Sequence, residues 1–393
     1  MIALPKIAFL RDFGQRLLRI SNILASFPNI PFLKFLLPQA LVYARSETVY
    51  QDLQNVVLNY SIIIKHYVSK NEKGILLISF EKELQKILRF KTLDAIQERY
   101  HIVFLPSSHG FFSSPLIVLA ARARERFYVM PVHARERRFS HHLGPYCRAL
   151  PFNAASWVKK EFFCSYQGDR DIDCLMVANF AEVKRHWLLF KALSRLPSEI
   201  KAYCVGVPLG IRTADSLRQE AKEYDVLNRI VIVEGPTQEE LRMYYQRARV
   251  FCALSYREGS FIAVAESLLA GTPVIYFKNA QFGTKELLTS NNGAMVSSIS
   301  ELRKKILFFR EHDNHENIRK TSQREIASSV NCIRLNQLLK ETALSSGEEW
   351  STDIERIYCM RFWFYYESTD WRFRLENDYS YLKERGIEIK GFV

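Results

Sequence analysis

The chain has no run of 18 or more apolar residues, so no membrane-crossing helix is expected. Its opening, MIALPKIAFLRDFGQRLLR, scatters charges among apolar residues and offers no small-residue cleavage site, so no secretory leader is expected. No two cysteines form a Cys-x-x-Cys pair. The seven (Cys147, Cys164, Cys174, Cys204, Cys252, Cys332 and Cys359) are odd in number, and several sit in apolar runs. That pattern excludes a disulfide framework and a zinc site, and it predicts buried free thiols in a reducing, cytoplasmic compartment. Internal repeats, low-complexity tracts and recognisable nucleic-acid modules are also missing.

What is present is ordinary globular material. A length of 393 residues with 48% hydrophobic and 25% charged residues predicts two or three domains with substantial cores. The formal net charge of +13 attracts anionic lipid, nucleic acid or anionic substrates. The excess is spread along the chain, so nucleic acid is not expected as a partner. Contact with the inner face of an anionic membrane and a merely basic surface both stay open.

Residues 1–73 are the hardest to place. Up to Arg45 the charges are six basic residues (Lys6, Arg11, Arg16, Arg19, Lys34 and Arg45) against Asp12, interleaved with aliphatic and phenylalanine side chains. Such a stretch suits an anionic lipid surface or helices packed on a core. Gln51 to Val68 is expected to be a further amphipathic helix. From Gly74 an α/β rhythm begins, with strands over Ile75–Phe80, Ile102–Leu105 and Phe127–Val132. Leu143 to Ser165 is expected to be irregular. From about Asp171 the alternation is regular: strands near 175–178, 202–205, 230–233, 250–254, 274–277 and 294–296, with helices between the first five. Thr237 and Glu240 form a capping box at one helix start. Strands separated by helix-length segments predict a parallel sheet covered on both faces. The tail beyond Glu348 is rich in aromatic residues and arginine. It is expected to be helical and to pack back on the first domain, with a membrane-interface belt as the alternative. The expected domains are 1–165, 166–345 and the tail 346–393.

The most informative stretch is SYREGSFIAVAESLLAGTPVIYF, Ser255 to Phe277. It reads as the end of a buried strand, a polar turn, a helix stopped at Gly271, and a second strand. The turn sets Glu258 and the N–H groups of Gly259, Ser260 and Phe261 at the carboxyl edge of the sheet, where open α/β sheets bind ligands. N–H groups at a helix start favour phosphate or sugar oxygens. Glu266 follows Glu258 by eight residues, midway along the helix, so two carboxylates can reach two parts of one extended ligand.

Glu-x7-Glu followed by Ala-Gly-Thr-Pro-Val-Ile resembles the retaining glycosyltransferases of family 4, which have the GT-B fold. The resemblance implies an α/β chain of two Rossmann-like domains with parallel sheets facing across a cleft. It implies transfer of a sugar from a nucleotide-sugar donor to a glycan or lipid-linked acceptor, as in cell-surface polysaccharide or glycolipid synthesis, with no metal cofactor. Glu258 would contact the donor sugar and Glu266 the ribose. In VANFAEVKRHWLLFKAL, Lys184 matches the family lysine that holds the donor diphosphate. Asn179 stands in the arginine position, and Arg185 can supply the missing cation. His133, in Pro-Val-His-Ala-Arg, would point at the donor sugar, and His109, in Ser-Ser-His-Gly, would touch the acceptor. For each histidine a structural role is the open alternative. Arg212, beyond Gly206-Val-Pro-Leu-Gly210, would face phosphate or solvent. The only Asp-x-Asp spacing, Asp169, Asp171 and Asp173, precedes its strand and so belongs to the wrong edge for a metal-bound donor. A chain that binds nucleotide sugar, or scaffolds a glycan-assembly complex, without turnover is the alternative function.

Overall fold

A computed structural model of the chain describes residues 55–89, 92–107, 113–138, 140–163, 166, 168–360 and 363–390; the side chains of 89, 134 and 135 are not described. The chain forms two compact units. One runs up to Trp157 and resumes with Asn331–Val393, and the other is Val158–Val330. The divisions expected from sequence lay at 165/166 and 345/346. The basic and apolar stretch 1–45, Cys164 and His109 lie outside the described residues.

In chain order the first unit holds β1 (Val56–Leu58), β2 (Ser61–Lys65), β3 (Gly74–Ser79), α1 (Glu81–Arg89), α2 (Thr92–Arg99), β4 (Tyr100–Leu105), α3 (Ser114–Arg122), β5 (Phe127–Val129), α4 (Ala134–Arg137) and β6 (Cys147–Ala149). Its main sheet runs β2-β3-β4-β5-β6. Every pairing is parallel except β2 with β3. Two expectations are corrected here. Within the expected helix Gln51–Val68 the described residues instead form β1 and β2. Ser61–Lys65 is buried at all five positions, and its three consecutive isoleucines, stiff at χ1, suit a pleated surface better than a helix. The irregular stretch after Leu143 contains β6, which closes the sheet against β5.

The second unit holds β7 (Ile172–Val177), α5 (His186–Leu193), β8 (Ala202–Gly206), α6 (Ala214–Glu223), β9 (Ile230–Glu234), α7 (Gln238–Arg247), β10 (Ala248–Ala253), α8 (Ile262–Leu269), β11 (Val274–Phe277), β12 (Gly293–Val296), α9 (Ile299–Glu311) and α10 (His315–Glu325). All six strands are parallel, in the order β12-β11-β10-β7-β8-β9. From β7 the chain builds outward through β8 and β9, then returns to β10 on the other side of β7. Right-handed crossovers therefore put α5 and α6 on one face and α7 and α8 on the other. The packing agrees: α5 touches α6 and α9, and α7 touches α8. The capping box forms as expected, with Thr237 Oγ1 accepting from Glu240 N–H at 3.2 Å and Glu240 Oε2 accepting from Thr237 N–H at 2.7 Å.

Two glycines are dictated by geometry. A Cβ at Gly206 would lie 1.8 Å from the Ala178 carbonyl oxygen, so only glycine lets the ends of β7 and β8 run side by side. Gly271 turns the chain out of α8 at φ +85, with the His315 carbonyl packed where a side chain would stand.

The first unit is completed by residues from α11 (Ser328–Ser345), then β13 (Ile357–Met360), β14 (Trp363–Tyr366), α12 (Trp371–Glu384) and β15 (Ile387–Ile389). The tail is thus not purely helical: β13 and β14 form an antiparallel hairpin, and β15 pairs in parallel with β1. Several of its aromatic residues, among them Phe364, Tyr366 and Tyr381, join the first unit's core, while Phe373 is exposed. Tyr366 Oη donates to the Ile63 carbonyl at 2.5 Å, Tyr379 Oη accepts from Ile63 N–H at 3.2 Å, and Trp371 stacks on Tyr366 with centroids 4.6 Å apart. Below this layer the fully buried Lys65 ammonium pairs with Glu72 at 2.9 Å. The six described cysteines are free thiols, five of them buried. Among the described residues no helix is long and apolar enough to cross a membrane.

Candidate functional site

The strand order of the second sheet reverses between β7 and β10, and ligand crevices form at such switch points, beyond the carboxyl ends of the strands. The two loops that leave β7 and β10 are the ones that carry Lys184 and Glu258. After β7 the chain turns at Asn179, whose Oδ1 accepts from Ala181 N–H at 3.2 Å. A short 3-10 turn, Glu182–Lys184, follows, and Arg185 enters α5 in the left-handed conformation at φ 60. After β10 the chain is held on both sides. Tyr256 N–H donates to the Val183 carbonyl at 3.0 Å, Glu258 N–H donates to the Gln281 carbonyl at 2.8 Å, and Gly283 N–H donates to the Gly259 carbonyl at 2.8 Å. Across the two loops the Lys184 ammonium and the Glu258 carboxylate form an ion pair, with side chains 12% and 13% exposed.

The start of α8 is strained. Phe261 stands before the first helical residue at φ 51 and ψ 65, a conformation that is uncommon for a side chain of its size and costs on the order of 1–3 kcal/mol. Edge-to-face packing on Phe282 (5.4 Å) and Phe251 (6.1 Å) opposes that cost. The strained turn brings the N–H groups of Gly259 and Phe261 to the head of the helix. Neither donates to a protein acceptor among the described residues. With the helix dipole they make the head of α8, which follows Glu258 in the chain, favourable to an anion.

Glu266 lies in α8, on the face shared with α7. Its Oε2 accepts from the hydroxyl of the fully buried Tyr245 at 2.8 Å, and its other oxygen has no protein partner among the described residues. Burial pushes the Glu266 carboxyl up from its ordinary value of 4.5, with the Tyr245 hydrogen bond pulling the other way. A carboxyl raised in the folded state contributes stability that is full below 4.5 and is lost as pH rises through the raised value. Glu266→Gln, which mimics the neutral acid, is therefore expected to melt higher than the unaltered protein at neutral pH. That advantage should fade below pH 4.5; an equal offset at both pH values in thermal melts would refute it.

The remaining sequence candidates divide. Arg185 is committed elsewhere: Nε donates to the Leu254 carbonyl at 2.5 Å and Nη2 to the Ser255 carbonyl at 3.2 Å, and the guanidinium lies over the Tyr256 and Phe277 rings. It ties the two loops together. Asn179 itself shapes the turn that delivers Lys184. Ser260 is buried in the turn before α8. His133 belongs to the first unit, four residues past β5. There Glu136 Oε2 accepts from the N–H groups of Val132 and His133 at the head of α4. It is not among the residues the second unit assembles. Asp171 and Asp173 lie at the amino edge of β7, where Asp171 binds Arg247 through both oxygens and Asp173 pairs with Arg310 at 3.2 Å. Among the described residues no group of three His, Cys, Asp or Glu side chains is placed to hold a metal ion. Sequence reasoning missed Tyr245 and Gln281, because a lone tyrosine in a helix and a loop glutamine carry no pattern.

The family model described as glycosyl transferases group 1 matches residues 159–324. Residues 159–324 are a glycosyl transferases group 1 domain. The second unit is therefore a glycosyltransferase domain, and its match spans both loops of the site. Solved structures extend the likeness beyond it. Sucrose-phosphate synthase from Thermosynechococcus elongatus is 16% identical with a TM-score of 0.54, over 69% of this chain and 74% of that one. HepE from Anabaena, in complex with UDP, is 15% identical with a TM-score of 0.53, over 79% of this chain and 82% of that one. These likenesses are to GT-B glycosyltransferases and show the fold. No curated protein matches the chain.

Proposed function

We propose that this glycosyltransferase moves a sugar, with retention of configuration, from a nucleotide-sugar donor to a glycan or lipid-linked acceptor in cell-surface polysaccharide or glycolipid synthesis. The observation that carries the reading is the Lys184–Glu258 ion pair at the switch point, beside the head of α8. An arriving diphosphate competes with Glu258 for the Lys184 ammonium. Once displaced, the Glu258 carboxylate is free to accept hydrogen bonds from sugar hydroxyls and so to orient the ring. Lys184 and the N–H groups of Gly259 and Phe261 then face the charge that grows on the departing diphosphate, which lowers the barrier without requiring a metal ion. Glu266 binds the ribose through its unpartnered oxygen while Tyr245 fixes its rotamer. Arg185 is a positioning residue that acts through the 254–255 carbonyls. The net charge of +13 supports work at the inner face of an anionic membrane.

The test is thermal stabilisation of the full chain by UDP, GDP and their sugar conjugates. A nucleotide at about 100 times its dissociation constant adds about 2.7 kcal/mol of stability. Glu266→Ala is expected to remove that shift, measured against its own ligand-free melt. Absence of a shift with every nucleotide sugar would sink the donor-site reading.

A further inference from the structure

A second cleft, of about 460 Å³, opens on the α5–α6 face of the second unit, the face opposite α8. Glu182 and Val183 from the turn before α5 line one side, with His186 and Trp187 from its first turn. Arg212, Glu220 and Tyr256 close the other.

His186 is 1% exposed, and among the described residues neither of its ring nitrogens, both closed to solvent, has a hydrogen-bond partner. Burial, with Arg212 and Lys184 nearby, depresses its pKa to about 3, so the ring is neutral at physiological pH. A neutral imidazole offers one donor and one acceptor, and leaving both unmade in a buried site is costly. The mouth carries the opposite character, since Trp187 is 37% and Tyr256 48% exposed. The lining charges, two carboxylates against Arg212, disfavour an anionic ligand. Arg212 is already spent on Glu220 at 2.6 Å and on the Phe180 carbonyl at 3.2 Å, while Glu182 adds a negative charge. Aromatic faces, a neutral donor–acceptor ring and carboxylates without a free cation suit a ligand that is apolar on its flat side and rich in hydroxyls at its edge. The volume fits a small-molecule site.

We propose that this cleft is a binding site for an uncharged sugar ring of a glycan chain, stacked on Trp187 and hydrogen-bonded to Glu220, and that occupation turns the His186 ring so that one of its nitrogens, both closed to solvent here, meets a sugar hydroxyl. It borders the donor loops, sharing Val183 and Tyr256 with them, but uses none of Lys184, Glu258 and Glu266, so it does not rest on the donor-site reading.

The experiment is saturation-transfer NMR on the full chain with maltotriose, cellotriose and N,N′,N″-triacetylchitotriose, each at about 10 mM, ten times a millimolar dissociation constant. At least one should bind, and Trp187→Ala and His186→Phe should each weaken it by about tenfold or more. The UDP-induced thermal shift should be unchanged in both. His186→Phe removes the nitrogens while filling the space; if it melts low, Trp187→Ala, at the surface, carries the test alone. Binding of none of the three sugars by a protein that still responds to UDP overturns the proposal. Binding undiminished by Trp187→Ala also overturns it.

Discussion

Lys184→Ala is expected to lower kcat by about 10²- to 10³-fold, the loss typical when one preorganised charge partner of a transition state is removed. The argument rests on position. Lys184 leaves the end of β7 and meets Glu258 from the end of β10, and both side chains are largely shielded from water, where a charge acts more strongly than at an open surface. If Lys184 were only the counter-ion of Glu258, the substitution would lower the melting temperature and spare kcat. Glu258→Ala is expected to reduce transfer as well. The two losses should not add, because each residue sets the other's geometry. A double-mutant cycle on kcat, with melts recorded alongside, checks both statements. Full turnover in folded Lys184→Ala would remove the lysine from the mechanism.

The largest stability effect is expected from Glu72→Ala in the first unit. Taking one partner from a buried ion pair costs about 3–5 kcal/mol, because the other charge is stranded. Here Lys65 is fully buried, and Glu72 serves more than the lysine. Its oxygens also accept from Ser351 N–H (2.7 Å), Ser351 Oγ (2.6 Å) and Thr352 N–H (3.1 Å), which fasten the segment after α11 to the loop after β2. The two partners respond to burial in opposite ways. At Lys65 burial dominates and lowers the pKa, which counts against the charged lysine. Burial also opposes ionisation of Glu72, yet the bonds from Ser351, Lys65 and Thr352 outweigh it and hold the carboxyl at about 2. The close contact and the full set of donors around Glu72 favour the charged pair: intact it is worth little net, and half of it is expensive. A carboxyl depressed in the folded state contributes stability that is present above 4.5 and is lost as pH falls through about 2. Urea unfolding should show the loss as a lower midpoint, smaller for Glu72→Gln, which keeps an acceptor for Ser351. A change under about 1 kcal/mol in Glu72→Ala would refute the stranded-charge argument.

Much of the second unit was legible in the sequence. The strand at Val274–Phe277 is found where its apolar run lies between Pro273 and the polar loop that follows, and the capping box of Thr237 and Glu240 marks the start of α7. Such features are local: a strand-length apolar run, a helix stop and a cap need only neighbours in sequence. The Glu258–Glu266 spacing was legible for the same reason, as one turn and one helix fix it. The first unit was less so. Ile62, Ile63 and Ile64 form a continuous apolar run, which periodicity alone does not assign to helix or strand. The hairpin of β13 and β14 was hidden inside an aromatic segment that a helix could equally have buried.

The sequence by itself determined the alternation that makes an open parallel sheet, and it set a lysine and a glutamate each at the end of a strand. Only the tertiary structure decided that those two strands are neighbours at the switch point, so that residues 74 positions apart become an ion pair. It also decided that Arg185 holds the Leu254 and Ser255 carbonyls, that Asn179 shapes a turn, and that Glu266 shares its carboxylate with Tyr245. The reason is physical. Strand order and loop-to-loop hydrogen bonds come from long-range packing, and a side chain's role is set by the partners that packing brings within reach.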